Sequence, residues 1–370
     1  MKINPIHKQQ NGLTLIELMI AIVLGLILVA GVIQIFVTNK QTYRVTEAQS
    51  RLQDNARFAL EILTRDIRST GYSGCRAIEK MNINQIANAP IPSPMGVNTI
   101  ITGSDADSAT TWSPSTPAEL GTTVIGGTDV ITLQRGTSCG ATLTENIGSS
   151  DGEIPVVLPN SCKISEKDIL MIADCEDGHI FRVTSINDNS GSTSQAIGHN
   201  STLNQTDNFC KSYPASDPDD PSPAPSVCLT GESKQYNYDA EVFKFSAITY
   251  FIKLGHNGEP ALWSYDQTTA TGANNPSELI EGIENLQVLY GADDNDDDIV
   301  DRYVTAKVIN DANDWDKVIS AQISILAQTL DTNLTTSNQS VEFNGSTIAG
   351  TEGRLRRVFS STIAIRNRVQ

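Results

Sequence analysis

The chain has 370 residues, 39% of them hydrophobic, and carries 43 acidic against 26 basic side chains, for a formal net charge of −17. A surface this acidic repels phosphate backbones, so nucleic acid is a poor default partner, and a cation or a basic protein surface suits it better. The length allows one large domain or two ordinary ones, and the abundance of Thr, Ser, Asn, Asp and Gly points to a β-rich, loop-rich fold rather than a helical bundle.

Residues 1–12 form a short polar leader containing Lys2 and Lys8. From Leu18 to Ile33 every residue is apolar or glycine, and with its flanks the stretch Leu13–Val37 reaches the roughly 20 residues that a membrane-spanning helix needs. A secretory signal would have a shorter apolar core followed by a small-residue cleavage site. Here the run follows a glycine and continues straight into more helix. Lys40 and Arg44 follow the span as Lys2 and Lys8 precede it, so the balance of positive charge leaves its orientation open. Glu17 is the anomaly, because a carboxylate in a membrane helix is costly and as a rule has a partner or snorkels to the headgroups. Gly12, Thr14 and Glu17 fall in one register at the head of the apolar run.

Beyond Val37 the pattern becomes amphipathic. Leu52, Ala56, Ala59, Leu63 and Ile67 recur at helical spacing, with Arg51, Asp54, Arg57, Glu61, Arg65 and Arg68 largely on other faces. The spacing predicts a helix from about Leu13 to Ser69 that stops at Gly71, its second half lying along a sheet. Strands are predicted at Asp129–Gln134, Ile154–Leu158, Asp168–Ala173 and Ile180–Ile186, separated by Gly, Ser, Thr and Asn. Residues 212–226 hold five prolines and read as an exposed loop. In Ile319–Gln328, alternation of Ile319, Ala321, Ile323, Ile325 and Ala327 with Ser320, Gln322, Ser324, Leu326 and Gln328 predicts a strand with one buried face. Ser361, Ile363 and Ile365 alternate in a last strand. No internal repeat is present, and nothing in the sequence marks a boundary within residues 71–370.

The six cysteines, Cys75, Cys139, Cys162, Cys175, Cys210 and Cys228, include no CxxC pair, and only four histidines could help to hold zinc. An even count in a chain that begins with an export signal favours three disulfides formed in an oxidising compartment. Loop length alone suggests neighbour pairing: Cys162 with Cys175, Cys210 with Cys228, and Cys75 with Cys139.

Residues 293–301 read DDNDDDIVD. Asp293, Asn295, Asp297, the carbonyl of Ile299 and Asp301 fall at the alternating positions of an EF-hand-type calcium loop, where a turning backbone directs successive oxygens at one cation. Asp298 replaces the usual sharp-turn glycine, and Val304 stands where the bidentate Glu belongs. The bland alternative is a solvated acidic turn. No cofactor other than calcium is suggested. Arg354, Arg356, Arg357, Arg366 and Arg368 would make a basic strip, but such residues more often sit on the solvent face of an edge strand or pair with acidic neighbours. No HExxH, GxxxxGK[ST] or GxGxxG arrangement occurs, and His179, His199 and His256 stand alone, which argues against an enzyme.

The segment GLTLIELMIA, residues 12–21, resembles the prepilin processing motif of type IV pilins and secretion pseudopilins, with Leu13 where the family usually has Phe. The resemblance implies cleavage after Gly12 by a membrane peptidase, N-methylation of Leu13, and pairing of Glu17 with the N-terminal amine of a neighbouring subunit. Residues 51–75, with Arg57, Phe58, Ala59, Gly71, Tyr72, Gly74 and Cys75, are similar to the matching segment of PilW-type minor pilins. So are residues 356–368 and the acidic loop between Tyr290-Gly291 and Arg302-Tyr303. The implied fold is α+β: a cleaved leader (1–12), a membrane-spanning or filament-core helix (13–37), its amphipathic continuation (38–70), and an antiparallel β-rich domain (71–370). The implied role is a minor pilin that initiates pilus assembly and rides at or near the filament tip. Its partners would be other minor pilins, the major pilin, the prepilin peptidase, the inner-membrane assembly machinery and a tip adhesin. Its location would be the bacterial inner membrane, single-pass with the C-terminal domain in the periplasm, and then the pilus. The alternatives are a J-type pseudopilin of type II secretion and a surface- or DNA-binding module displayed on a pilus.

Overall fold

The computed structural model describes residues 14–74, 81–88, 95–96, 98–108, 110–188, 193–210, 233–269 and 275–368. Gly12, Leu13, Cys75, Cys228 and the proline-rich stretch 212–226 lie outside the described residues.

A single helix, α1 (Leu15–Arg68), dominates the chain. At 1.5 Å per residue its 54 residues span about 80 Å, with no proline to break the hydrogen-bond ladder. The side chains from Leu15 to Val37 are exposed throughout, and the helix is long and apolar enough there to cross a membrane. Burial begins at Ala48 and then follows one stripe, Leu52, Ala56, Ala59, Leu63, Asp66 and Ile67. The five apolar positions read from the spacing are therefore the ones that face the core. Leu52, Leu63 and Ile67 each contribute on the order of 1.5–3 kcal/mol by leaving water, whereas the small Ala56 and Ala59 let the helix backbone approach the sheet.

That stripe packs on a four-stranded antiparallel sheet with the order Arg302–Val304, Ile283–Ala292, Val318–Gln328, Arg356–Ala364. The predicted alternation in Val318–Gln328 holds through its middle, where Gln322 and Ser324 are half-buried between buried Ala321, Ile323 and Ile325. Ser320, Leu326 and Gln328 are buried as well, because a central strand is covered on both faces towards its ends. Ile363 and Ile365 face inwards as expected.

The other large element is a nine-stranded sheet built around Glu241–Leu254, which pairs with Val130–Thr142, Ile169–Ala173 and Pro260–Asp266. The strand predicted at Asp129–Gln134 is thus more than twice as long as its apolar run, since its polar half is fixed by pairing with Glu241–Leu254. The segment predicted as one strand at Ile180–Ile186 is two, Asp177–Arg182 and Ser185–Asp188, the second of which joins a separate three-stranded sheet. The two main sheets meet closely at Gly103. A methyl group at Gly103 would overlap the hydroxyl of Tyr290, so glycine is required where Ile101–Ala106 passes Ile283–Ala292. Asp129 spans the same junction, accepting from the N–H groups of Ala106 (3.1 Å) and Val288 (2.9 Å). Burial pushes its carboxyl up to about 7.

The helix end is fastened by charge. Asp66, buried on the packing face, accepts from Arg135 Nη1 at 2.8 Å and from the Tyr250 hydroxyl, and so binds α1 to two strands of the large sheet. A second core centres on Phe181, Phe209 and Tyr236. His179 and His199, which looked isolated in sequence, both pack on Phe209, His199 stacked at 4.2 Å between centroids. His179 Nε2 accepts from the Cys210 N–H (3.1 Å), so the proton sits on Nδ1, 2.6 Å from the Tyr236 hydroxyl.

The disulfide Cys139–Cys162, with its Cα atoms 5.0 Å apart, overturns the expected pairings of Cys162 with Cys175 and Cys75 with Cys139. Chain separation predicted the wrong partners because Ser161 is already held against the strand of Cys139, donating to its carbonyl through both N–H (2.9 Å) and hydroxyl (3.0 Å). Cys175 and Cys210 are also disulfide-bonded.

Two outcomes follow from these buried charges. Asp66→Ala strands Arg135 beside the core and is expected to cost about 3 kcal/mol in denaturant melts, whereas an exposed control, Asp54→Ala, should cost a few tenths. The second concerns pH. Burial, reinforced by the nearby charges of His199 and Lys234, lowers the His179 imidazole to about 3. The unfolded chain therefore binds a proton near pH 6.5 that the folded state refuses, and stability is lost as pH falls from there towards 3. Between pH 6.5 and 5 this one residue removes about 2 kcal/mol. The drop in melting temperature from pH 7 to pH 5 should be smaller in His179→Gln than in the parent; equal drops would exonerate the imidazole.

Candidate functional site

The N-terminal site is built by the first turn of α1. Thr14 has extended backbone (φ −76°, ψ 150°) and caps the helix, its hydroxyl accepting from the Glu17 N–H at 3.4 Å. Glu17 reaches back and accepts from the Thr14 N–H (3.0 Å) and hydroxyl (2.9 Å). This is a reciprocal capping box. Its T-x-x-E spacing is present in the sequence at 14–17 and identifies Thr14 as the residue that orients the acid. Glu17 is therefore not a lone carboxylate in apolar surroundings: two local donors and the positive end of the helix dipole stabilise it while no neighbour is present. The carboxylate stands three residues inside the helix start, at the end where an amine released by cleavage after Gly12 would lie.

The acidic loop joins Ile283–Ala292 to Arg302–Val304. Asp293 lies beneath it, 4% exposed, with Oδ1 accepting from Asn295 N–H (3.1 Å) and Asp297 N–H (3.3 Å) and Oδ2 from Asp298 N–H (2.8 Å). Burial pushes the Asp293 carboxyl up, but these backbone donors outweigh it and hold the group below the usual carboxylate range. Asn295 accepts from Asp297 N–H at 3.1 Å, and Asp297 from Ile299 N–H at 2.9 Å. Asp298, at the position where a calcium loop carries glycine, adopts the left-handed φ of 62° that such a glycine supplies. Asp301 is drawn back to the Asp294 N–H (2.8 Å), while Arg302 clamps Asp294 bidentately (2.7 and 3.0 Å) and reaches Asp314 (2.9 Å). The five nominated oxygens thus share one tight turn. Among the described residues, however, no group of three or more His, Cys, Asp or Glu side chains converges as a metal-holding set.

The C-terminal arginines do not form a strip. Arg354 is buried against Glu259 (2.6 Å) and Glu352 (3.0 Å), and Arg356 against Glu284 (2.5 Å). Arg368, also buried, donates from Nη1 to the carbonyls of Trp315, Asp316 and Val318. Arg357 and Arg366 alone of the five are exposed.

With this geometry in view, the comparisons are consistent. Residues 249–367 match the family described as Type IV Pilus-assembly protein W, and residues 7–33 match the Prokaryotic N-terminal methylation motif. Pilin-like protein PilA3 of Thermus thermophilus is 29% identical over 89 residues, which are 24% of this chain and 37% of that protein. The match therefore spans little more than a third of that relative's length. The solved structure of the Type IV-like pilin TTHA1219 from Thermus thermophilus covers 86% of this chain and 98% of its own at 10% identity, with a TM-score of 0.32, too low a likeness to carry an argument. The methylation-motif match opens the long apolar helix, which ends on a β-rich domain, and is similar in this to type IV pilin-like proteins. The PilW match takes in the C-terminal third, which includes the acidic loop and the closing strand Arg356–Ala364.

Proposed function

We propose that the chain is a minor pilin that enters the bacterial inner membrane by α1, with its C-terminal domain in the periplasm, and there joins other minor pilins to initiate pilus assembly. In this reading the prepilin peptidase cuts after Gly12, and Leu13 becomes the methylated N-terminus. The major pilin then follows beneath the minor pilins, so that the subunit travels at or near the filament tip, where it holds an adhesin. The observation that carries the reading is the helix itself: an apolar half with every side chain exposed, continuous with a half buried on the head. The PilW match at residues 249–367 favours a pilus over a secretion pseudopilus.

Glu17 supplies the chemistry of register. Cleavage creates a cationic amine, and an opposite charge in a low-dielectric helix bundle attracts it strongly. A neighbour's amine can replace the Thr14 donors, so the acid exchanges a local partner for an intermolecular one only when the subunits are aligned. Mass spectrometry of the protein from peptidase-active cells should give a mature chain beginning at methylated Leu13. Glu17→Val should still be cleaved, yet be absent from sheared pili. An intact leader in such cells removes the reading altogether.

The acidic loop is proposed to take up calcium through Asp293, Asn295, Asp297, the Ile299 carbonyl and Asp301, a set that mixes carboxylate, amide and backbone oxygens as calcium prefers. Its left-handed turn at Asp298 supports this. Saturating calcium should raise the melting temperature of the protein, and Asp297→Ala should abolish the rise; no shift in the parent would discard the site.

A further inference from the structure

A groove of about 950 Å³ runs between the outward side of the last four turns of α1 and the closing strand. Arg57, Arg65, Arg68 and Arg366 surround it, with Glu61 the single acid among its lining residues, and Leu60 and Tyr72 provide apolar surface. Among the described residues no carboxylate pairs with Arg57, Arg68 or Arg366. Arg65 is engaged with the adjoining Asp66 at 3.2 Å while remaining 73% exposed. Four guanidiniums around one groove are a local reversal of sign in a chain whose net charge is −17. Their mutual repulsion persists in the free protein and is relieved by an anionic occupant.

The groove's other wall is a strand edge. Arg356–Ala364 pairs along its length with Val318–Gln328, and among the described residues no strand pairs with its other side. Ser360 and Ser361 stand where this edge meets the groove. One end is closed by the chain itself, where Arg366 N–H donates to the Arg68 carbonyl (3.3 Å) and Asn367 Nδ2 to that of Thr70 (2.8 Å). A free edge offers backbone donors and acceptors at strand spacing, the arrangement that recruits an extended peptide.

We propose that this groove receives an extended acidic segment of a neighbouring polypeptide, which adds as a strand to the free edge of Arg356–Ala364 and sets its carboxylates against Arg57, Arg68 and Arg366. Alternation along such a strand turns one set of its side chains, the acidic ones, towards the arginines of the groove. DNA fits less well, because it offers no backbone partner to a strand edge and meets long-range repulsion from the rest of the chain. That the neighbour is a pilus subunit rests on the function proposed above; the preference for an acidic strand does not.

The test uses the full chain in detergent micelles and a fluorescein-labelled ten-residue peptide alternating glutamate with valine. Fluorescence anisotropy should report saturable binding that weakens at least tenfold in Arg68→Glu/Arg366→Glu and, separately, in Arg57→Glu, all at exposed positions whose melting temperatures should match the parent. A lysine–valine peptide should not bind, and N-methylation of alternate backbone nitrogens should cost the glutamate peptide most of its affinity. Absence of binding overturns the proposal, as does unchanged affinity in the charge-reversed variants or in the N-methylated peptide. Preferential binding of a single-stranded DNA oligonucleotide would replace it with a nucleic-acid site. None of these readouts depends on leader cleavage, so the groove and the pilin reading succeed or fail separately.

Discussion

The structure depends on one helix having to satisfy two environments without a break. Among the described residues nothing packs against Leu15–Val37, where every side chain is exposed; from Ala48 to Ile67 the helix is a structural member of the head. Hydrogen bonds within the ladder carry the intervening stretch, which is exposed on nearly every side and is tied to the head loop where Gln41 Nε2 donates to the Leu334 carbonyl (3.0 Å). The buried pair Asp66–Arg135, with Tyr250, then fixes the helix end to the large sheet. The apolar half thereby acquires a defined direction relative to the β domain.

Charge is partitioned in keeping with that division. The acidic surplus lies over the β domain, and several of its basic residues are spent internally: the buried Arg354 and Arg356 pair with half-buried Glu259 and Glu284, and Arg368 collects three carbonyls at the end of the four-stranded sheet. Among the described residues, Arg57, Arg68 and Arg366, none of them paired with a carboxylate, gather with Arg65 around the groove on the outward side of α1. The helix thus presents an apolar surface at its start and a basic one at its end, two chemically distinct faces on one rod.

The helix was legible in the sequence almost residue by residue, because a stripe at Leu52, Ala56, Ala59, Leu63 and Ile67 is local information and 3.6-residue periodicity survives any tertiary context. The inward faces of Val318–Gln328 and of the closing strand were legible for the same reason. What failed was everything set by distant partners. Nothing near Cys162 names Cys139, and nothing near Asp66 names Arg135 or Tyr250; those contacts exist only once the sheets are paired. The arginines at 354–368 were readable as a set but not as individuals, since burial beside Glu259 or Glu284 is decided by residues about 70 to 100 positions away. Of the candidate site, Glu17 stood out through its cost in an apolar run, and its capping partner Thr14 was visible in the spacing although the acid looked solitary without the geometry.

Hydrogen–deuterium exchange of the full chain in bicelles, resolved along α1, tests the rigid coupling on which this account turns. Exchange should be slow without interruption from Leu18 to Arg68, the bare stretch Thr38–Glu47 included, because it is held in register from both ends. Exchange at the unstructured rate across Thr38–Glu47, with protection on either side, would mean two helices on a hinge, and the head would then carry no fixed orientation to its anchor.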